Sequence, residues 1–176
     1  MRYIALLRGI NLGGNNLIKM DALRAEFEKL GFKNVVSYIN SGNLAFDTKK
    51  SSEKKLSDKI EKAVEAMIGR NIQVMIRERS DIDRIVAKDP FKGQYESHKE
   101  VHVLFMKDEL PADKEELLLE QQTDDERVVV DGREIYCHVR QGAAESVILG
   151  KAFVEKKLKV SPTARNWRTV QKLAEL

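Results

Sequence analysis

Residues 35–46, VVSYINSGNLAF, contain the pattern that decides the fold. Residues 35–39 are rich in β-branched and aromatic side chains, which are typical of a strand. Residues 40–43, Asn-Ser-Gly-Asn, are types that tight turns favour, and residues 44–46, Leu-Ala-Phe, resume the apolar pattern. The stretch therefore predicts a β-hairpin with its turn at residues 40–43.

The segment before this hairpin predicts a strand, a loop and a helix. Residues 2–8 are apolar on both faces, which indicates a strand in the middle of a sheet. Residues 9–16 form a loop rich in glycine and asparagine. Leu23, Phe27 and Leu30 then recur at helical spacing, and Gly31 is the residue type that ends a helix in the left-handed conformation.

The segment after the hairpin predicts a second helix and a fourth strand. Ser51 or Ser52 can cap a helix whose buried stripe is Leu56, Ile60, Val64 and Met67. Residues 72–77 alternate in polarity, which indicates a half-buried strand at a sheet edge. The order β-α-β-β-α-β, completed near Glu78, is the ferredoxin-like arrangement.

A similar order follows in the second half of the chain. A helix from Ser80 ends before Pro90, residues 101–106 form a strand, and Pro111 can open another helix. Residues 127–130 and 134–139 pair through Asp131-Gly132, a strong hairpin signal. The apolar residues of 148–158 suggest a further helix, and Ser161-Pro162 opens the last one.

The sequence thus predicts an α+β fold with two tandem ferredoxin-like lobes and a C-terminal helix. The second lobe has no obvious closing strand and is predicted to be incomplete. The expected boundaries are a first lobe at 1–78, a helical linker at 79–99, a second α/β lobe at 100–160 and a helix at 161–176 that packs on the lobes.

Composition sets limits on the class of protein. Hydrophobic residues make up 42% and charged residues 34%, which is typical of a globular protein. The apolar stretch at residues 3–7 is shorter than a signal-peptide core, and the chain has no run of about 20 apolar residues. The single cysteine cannot form an internal disulfide, which favours a reducing compartment and a cytoplasmic location. The net charge of +3 permits a phosphate-bearing partner but falls short of a dedicated nucleic-acid binder.

Topology predicts where the working surface lies. The first helix crosses over between strands one and two, so these strands run in the same direction and loop 9–16 meets turn 40–43 at one edge. The second predicted helix also ends at that edge, which places residues 69–71 nearby. Glycines let backbone amides approach a ligand, asparagines donate and accept, and basic side chains favour anions. The candidate ligand-binding residues here are Arg8, Gly9, Asn11, Gly13, Gly14, Lys19, Ser41, Gly42 and Asn43.

This loop matches neither the P-loop pattern nor the dinucleotide fingerprint. The alternative interpretation is that its glycines and asparagines only make tight connections. That alternative stays open, although the density of asparagine exceeds what two connections require.

Three motifs carry a resemblance to a known family. Residues 5–14 (ALLRGINLGG), 37–46 (SYINSGNLAF) and 163–170 (TARNWRTV) together resemble a bacterial family known as domain of unknown function 1697. That pattern usually has Thr at the position of Ser37 and Gln at the position of Asn40. The resemblance implies an α/β protein without an established activity, and it adds Arg165 and Asn166 to the candidate site.

Candidate catalytic groups have weak support. His98 and His102 share no helical face if His102 lies in a strand, and no third metal ligand is identified. Cys137 and His138 are neighbours in a strand and point to opposite faces, so Cys137 is interpreted as a core residue. Ser41 lacks a nucleophile elbow, and the acidic run 124–126 is interpreted as a solvated loop. No metal site is predicted, the cofactor is unknown, and the sequence does not decide whether the protein is an enzyme.

The sequence is compatible with three functions. The first is binding of a small anionic ligand at the edge of loop 9–16 and turn 40–43. The second is RNA binding, in which Tyr3 and Phe46 on the sheet would stack on bases. The third is a protein-interaction or homodimer module that uses an unpaired edge such as 72–77.

Overall fold

The computed structural model describes residues 1–11 and 18–176. Contacts divide the chain into two compact units, one formed by Met1–Val86 with Lys172–Leu176 and the other by Ala87–Gln171. The first unit has seventeen lysine and arginine residues against twelve acidic residues, a net charge of +5. The second has fourteen against sixteen, a net charge of −2. Charge is therefore distributed unevenly, and the first unit is the basic one.

The first unit contains one four-stranded sheet in the order β2-β3-β1-β4. All three strand pairs are antiparallel, so β1 and β2 run in the same direction, as predicted. β1 is central and its residues from Tyr3 onward are buried, which also confirms the prediction. The elements are β1 (Arg2–Leu7), α1 (Met20–Lys29), β2 (Lys33–Tyr38), β3 (Asn43–Asp47), α2 (Glu53–Ile68) and β4 (Val74–Glu78), followed by α3 (Arg79–Lys88), which ends in the second unit.

The start of α2 and the end of α1 lie where the sequence predicts them. Ser52 caps α2 by accepting a hydrogen bond from the amide of Lys55. Gly31, just after α1, has φ +88°, which glycine adopts without strain. These local signals determine where α2 begins and where α1 ends.

One core cluster packs the helices on one face of this sheet. Tyr3 stacks on Phe46 with ring centroids 5.9 Å apart, and Phe27 of α1 meets Phe46 edge-on at 5.5 Å. Both Tyr3 and Phe46 are 0% exposed. Neither ring can stack on a base, so this basis for RNA binding is wrong. The alternation of β1 places Tyr3 with Ala5 and Leu7 on the face that the helices cover.

β4 lies at an edge of the sheet, as predicted, but it is more buried than its alternation suggests. Met75 and Arg77 are 1% exposed, like the apolar residues that alternate with them. The prediction of a half-buried strand was therefore wrong. A charged residue at an alternating position suggests a solvent-facing side, yet Arg77 is buried and donates to the carbonyl of Ile76 at 2.8 Å.

The second unit contains a four-stranded antiparallel sheet in the order β6-β7-β5-β8. Its short fourth strand, β8, pairs with β5 in the register Val103↔Arg165. Three further segments, at 143–145, 152–157 and 167–173, are helical turns or helices. The elements are β5 (Val101–Phe105), α4 (Ala112–Leu119), β6 (Glu126–Asp131), β7 (Glu134–Val139), β8 (Thr163–Asn166) and α5 (Trp167–Leu173).

β8 corrects two predictions. The second sheet has its closing strand, so the prediction of an incomplete lobe was wrong, and the last helix begins at Trp167 instead of at Ser161-Pro162. The sequence Thr-Ala-Arg-Asn has no apolar alternation that would predict a strand. Its strand conformation comes from its pairing with β5. The strand ends where Asn166 caps α5 by accepting from the amide of Thr169 at 2.9 Å.

The segment that precedes β8 also differs from its prediction. Instead of one helix over 148–158, the structure has a 3₁₀ turn at Ala143–Glu145 and a π-helical segment at Ala152–Lys157. Phe153 and Leu158 are buried as predicted. In the wide π turn the amide of Leu158 donates to the carbonyl of Phe153, five residues earlier.

Glu126 was predicted to be solvated together with Asp124 and Asp125, and that prediction was wrong. It is the first residue of β6 and is 4% exposed. Its carboxylate accepts hydrogen bonds from the amides of Val147 and Ile148, at 3.0 and 3.2 Å, and from Nε2 of Gln141 at 2.7 Å. The carboxylate therefore organises the loop that follows β7.

Candidate functional site

The end of β1 lies beside the turn that joins β2 to β3. The amide of Leu7 donates to the carbonyl of Gly42 at 2.8 Å, and the amide of Arg8 donates to the carbonyl of Gln73 at 2.9 Å. The described residues thus confirm that the beginning of loop 9–16 and the turn meet at one edge. Gly13 and Gly14 lie outside the described residues.

Asn11 connects three parts of this edge with one side chain. Its Oδ1 accepts from the amide of Ile18 at 3.1 Å, and its Nδ2 donates to the carbonyls of Ile18 and Asn40, both at 2.9 Å. Its φ of 54° is left-handed, a conformation that asparagine tolerates better than most residues. Asn11 therefore ties Ile18 to the turn at Asn40. We call residues 9–11, 18 and 39–43 the Asn11 frame.

We expect Asn11→Ala to lower the free energy of unfolding by about 2 kcal/mol, since it removes three hydrogen bonds and leaves a left-handed backbone without asparagine. The amide of Ile18 should also exchange faster with solvent. Urea denaturation and hydrogen exchange measure the two effects. Asn34→Ala is the matched control, because Asn34 has φ 50° and one exposed side-chain hydrogen bond to Asp47. An unchanged exchange rate at Ile18 would contradict the bracing role.

The turn itself is closed by buried polar contacts. Asn43 is 0% exposed, and its Nδ2 donates to the carbonyl of Tyr38 at 3.1 Å and to Oγ of Ser41 at 2.9 Å. Ile39 has φ 50° although it is β-branched and 51% exposed. A β-branched residue in this region is a genuine backbone outlier, and such strain clusters at functional sites. Asn43 and Ser41 thus act in the turn as structural ties.

Basic side chains border the Asn11 frame from three segments. Arg70 follows α2 and donates from Nη2 to the carbonyl of Gly9 at 3.0 Å. Arg8 is half-buried and precedes Gly9, and Lys19 is exposed and follows Ile18. Arg70 was predicted to lie near this edge, and the hydrogen bond confirms it.

Comparison with known proteins identifies the family. A family model described as "Protein of unknown function (DUF1697)" matches residues 1–136. The chain belongs to this family. The DUF1697 match includes the Asn11 frame and ends before Arg165 and Asn166.

A solved structure is similar to this DUF1697 chain over nearly its whole length. It is described as the structure of conserved bacterial protein SP0830 from Streptococcus pneumoniae. The sequences are 27% identical, the match covers 99% of this chain and 97% of the other, and the TM-score is 0.77. No curated protein matches the chain.

Two further properties concern the described part of this DUF1697 chain. Within residues 1–11 and 18–176, none of the helices combines the length and the hydrophobicity that a membrane span needs. The same residues include no group of three or more His, Cys, Asp or Glu side chains that could hold a metal ion.

Arg165 and Asn166 lie in the second unit, on β8. Arg165 is 8% exposed, and its Nη1 donates to Oγ1 of Thr163 at 2.7 Å and to the carbonyl of Ala164 at 2.9 Å. Burial lowers the pKa of its guanidinium to about 10, so it stays charged at neutral pH. Asn166 caps α5 as described above. That these two residues line the same site as the Asn11 frame stays a prediction.

Cys137 has the environment of a core residue. It is 0% exposed, packs with Ile135 and Ile148, and burial together with Glu126 raises the pKa of its thiol. His102 lies directly opposite Cys137 in the β5–β7 ladder, and burial lowers the pKa of its imidazole. Both groups are therefore neutral near pH 7, which is unsuitable for a thiolate–imidazolium pair.

We expect native Cys137 to resist a thiol reagent such as dithionitrobenzoate at pH 8, since its protonated thiol is out of reach of solvent. In guanidinium chloride the same thiol should react within minutes. Absorbance of the released thionitrobenzoate measures both rates. Rapid labelling of the native protein would contradict a buried, protonated thiol.

Sequence reasoning missed a polar cluster in the second unit. Nη2 of Arg127 lies 3.0 Å from Nδ1 of His138, and Nε2 of His138 lies 3.0 Å from Oε2 of Glu100. Arg127 and His138 are directly opposite in the β6–β7 ladder. The Asp131-Gly132 hairpin signal fixes this register, so counting back from the turn would have paired them. Nothing in the sequence indicates Glu100, which precedes β5.

Proposed function

We propose that the first unit binds a small anionic ligand, one that carries a phosphate or carboxylate group, at the Asn11 frame. The observation that carries this proposal is the bracing by Asn11, whose side chain joins Ile18 to the turn at Asn40. Backbone amides held in advance bind a ligand without a further ordering cost. Asn11 holds the frame together and does not itself donate from Nδ2 to the ligand, since both hydrogens of its Nδ2 already have acceptors.

Electrostatics supports an anion over a cation. Arg8, Lys19 and Arg70 border the frame, and the first unit carries a net charge of +5. α1 begins just after Lys19, so the positive end of its helix dipole lies next to the frame. Asp21 in the first turn opposes this field, but it is paired with Arg24.

We also infer that each unit has a ferredoxin-like arrangement. The strand orders β2-β3-β1-β4 and β6-β7-β5-β8 are equivalent, and the first six elements follow β-α-β-β-α-β. This topology supports the proposal because it brings the segments after β1 and β2 to the same edge.

Thermal unfolding with inorganic pyrophosphate tests the proposal. Pyrophosphate at one hundred times its Kd should stabilise the wild type by about 2.7 kcal/mol, visible as a higher Tm. Arg8→Ala and Arg70→Ala should reduce the shift, because each removes a charge next to the frame. Lys62→Ala, which removes an exposed lysine of α2, is the matched control and should keep it. Equal shifts in all four proteins would contradict this location.

Self-association is a second candidate that one observation favours. β2 is an edge strand. Val36 within it is 38% exposed, and Ile39 just after it is 51% exposed. Edge strands with apolar side chains can pair with another chain. Light scattering over a concentration series tests this alternative, and a constant monomer mass would contradict it.

A further inference from the structure

The second unit contains a polar cavity far along the chain from the Asn11 frame. Its volume is about 430 Å³. Side chains from the segment before β5 and from the end of β7 line it. These are Gln94, Tyr95, Glu96, Glu100, His138 and Arg140.

Hydrogen-bond partners fix the protonation of His138 in this cavity. Arginine has only donors, so Nδ1 of His138 accepts from Arg127 and carries no proton. The proton of the neutral imidazole is therefore on Nε2, which donates to Oε2 of Glu100 at 3.0 Å. The side chains of His138 and Glu100 are 5% and 12% exposed. Arg127 and His138 thus hold the Glu100 carboxylate in one orientation.

Aromatic rings support this chain of hydrogen bonds. The Arg127 guanidinium lies over the ring of Phe91 at 5.5 Å, and the Phe91 and His138 rings are 5.4 Å apart. Tyr95, which lines the cavity, is held by Asp89, whose carboxylate accepts from the Tyr95 hydroxyl at 3.1 Å. Burial and the Asp89 charge raise the pKa of Tyr95, so its phenol keeps its proton.

The charges around the cavity favour a cation. Glu96 and Glu100 contribute two carboxylates, while His138 is neutral. The one cationic side chain of the lining, Arg140, is exposed and lies 3.7 Å from the carboxylate of Asp125. Tyr95 adds an aromatic ring, whose face attracts organic cations. A metal ion fits poorly, since both ring nitrogens of His138 are already engaged.

We propose that this cavity binds a small organic cation, whose ammonium group donates to the Glu100 carboxylate and lies near Tyr95. An ammonium group offers three donors and a full charge, and a charge-assisted bond to a carboxylate is stronger than a neutral one. His138 and Arg127 act as positioning residues, because they orient Glu100 without contacting the ligand themselves.

A series of three isosteric probes tests the charge preference. The full ¹⁵N-labelled chain is titrated at constant ionic strength with n-butylammonium chloride, n-butanol and sodium butyrate. Butylammonium should give saturable shifts of the amides of Tyr95, Glu96 and Glu100, and His138 should keep its proton on Nε2. The alcohol and the carboxylate should leave these amides unshifted. Equal binding of the alcohol, or binding of butyrate alone, would overturn the proposal.

One isosteric variant tests the role of Glu100. Glu100→Gln keeps the shape and an acceptor oxygen for His138 but removes the charge, so its Kd for butylammonium should rise at least tenfold. Glu109→Gln neutralises an exposed carboxylate elsewhere in the second unit and should bind as the wild type does. Unchanged affinity in Glu100→Gln would overturn the assignment of Glu100. If this variant does not fold, the probe series on the wild type still tests whether the cavity prefers a cation.

Discussion

Replacing Gly42 with alanine should lower the free energy of unfolding by about 3 kcal/mol, combining backbone strain with overpacking. Gly42 has φ +80°, and an added Cβ would lie 2.8 Å from Cβ of Leu7 and 2.9 Å from Cδ1 of Ile10. Cβ of Leu7 cannot move without its backbone, and that residue is hydrogen-bonded to Gly42. The substitution should therefore push the turn away from β1. Urea denaturation followed by circular dichroism measures the loss.

Gly31→Ala separates strain from crowding in this experiment. Gly31 has φ +88°, but an added Cβ would have no described atom within 4 Å. Its loss should be about 1 kcal/mol, which is the backbone cost alone. Equal losses in the two variants would contradict the close approach of the turn to β1. A larger loss at Gly42 would support the close approach of the turn to β1.

Glu126→Ala should destabilise the protein by about 3–4 kcal/mol, since removing a buried charged acceptor leaves its donors without a hydrogen-bond partner. The amides of Val147 and Ile148 and Nε2 of Gln141 would lose their shared acceptor. The loop after β7 should loosen, with faster hydrogen exchange at both amides. Calorimetry and exchange measured by mass spectrometry follow the two effects.

Asp124→Ala is the matched control for Glu126→Ala. It removes an exposed acid from the same acidic run and should change stability by no more than about 0.5 kcal/mol. If the two variants were equally stable, the hydrogen bonds of Glu126 would contribute nothing net. Such a result would contradict the stabilising role of the buried carboxylate.

Local patterns were sufficient for most of the first unit. The apolar run of β1, the helix end at Gly31 and the cap at Ser52 each have a short-range physical cause. The meeting of β1 with the 40–43 turn followed from topology alone. What sequence could not supply there was the role of Asn11, because its partners Ile18 and Asn40 lie 7 and 29 residues further along the chain.

Longer-range contacts explain the errors in the second unit. β8 consists of four mostly polar residues, and its pairing with β5 depends on a strand some sixty residues earlier. Glu126 belongs to an acidic run that looks solvated, yet its donors lie about twenty residues further along the chain. The Glu100–His138 contact spans 38 residues and has no local signature. Composition and periodicity do not encode such partners.

The most direct test of anion binding at the Asn11 frame is a ¹⁵N-resolved titration of the wild-type chain with inorganic pyrophosphate at constant ionic strength. We expect saturable shifts of the amides of Gly9, Ile18 and residues 39–42, because these backbone groups form the frame. Residues 49–62, which carry six lysines, serve as an internal control for non-specific attraction. Shifts confined to that lysine-rich stretch, or no saturable shift at the frame, would contradict the proposed site.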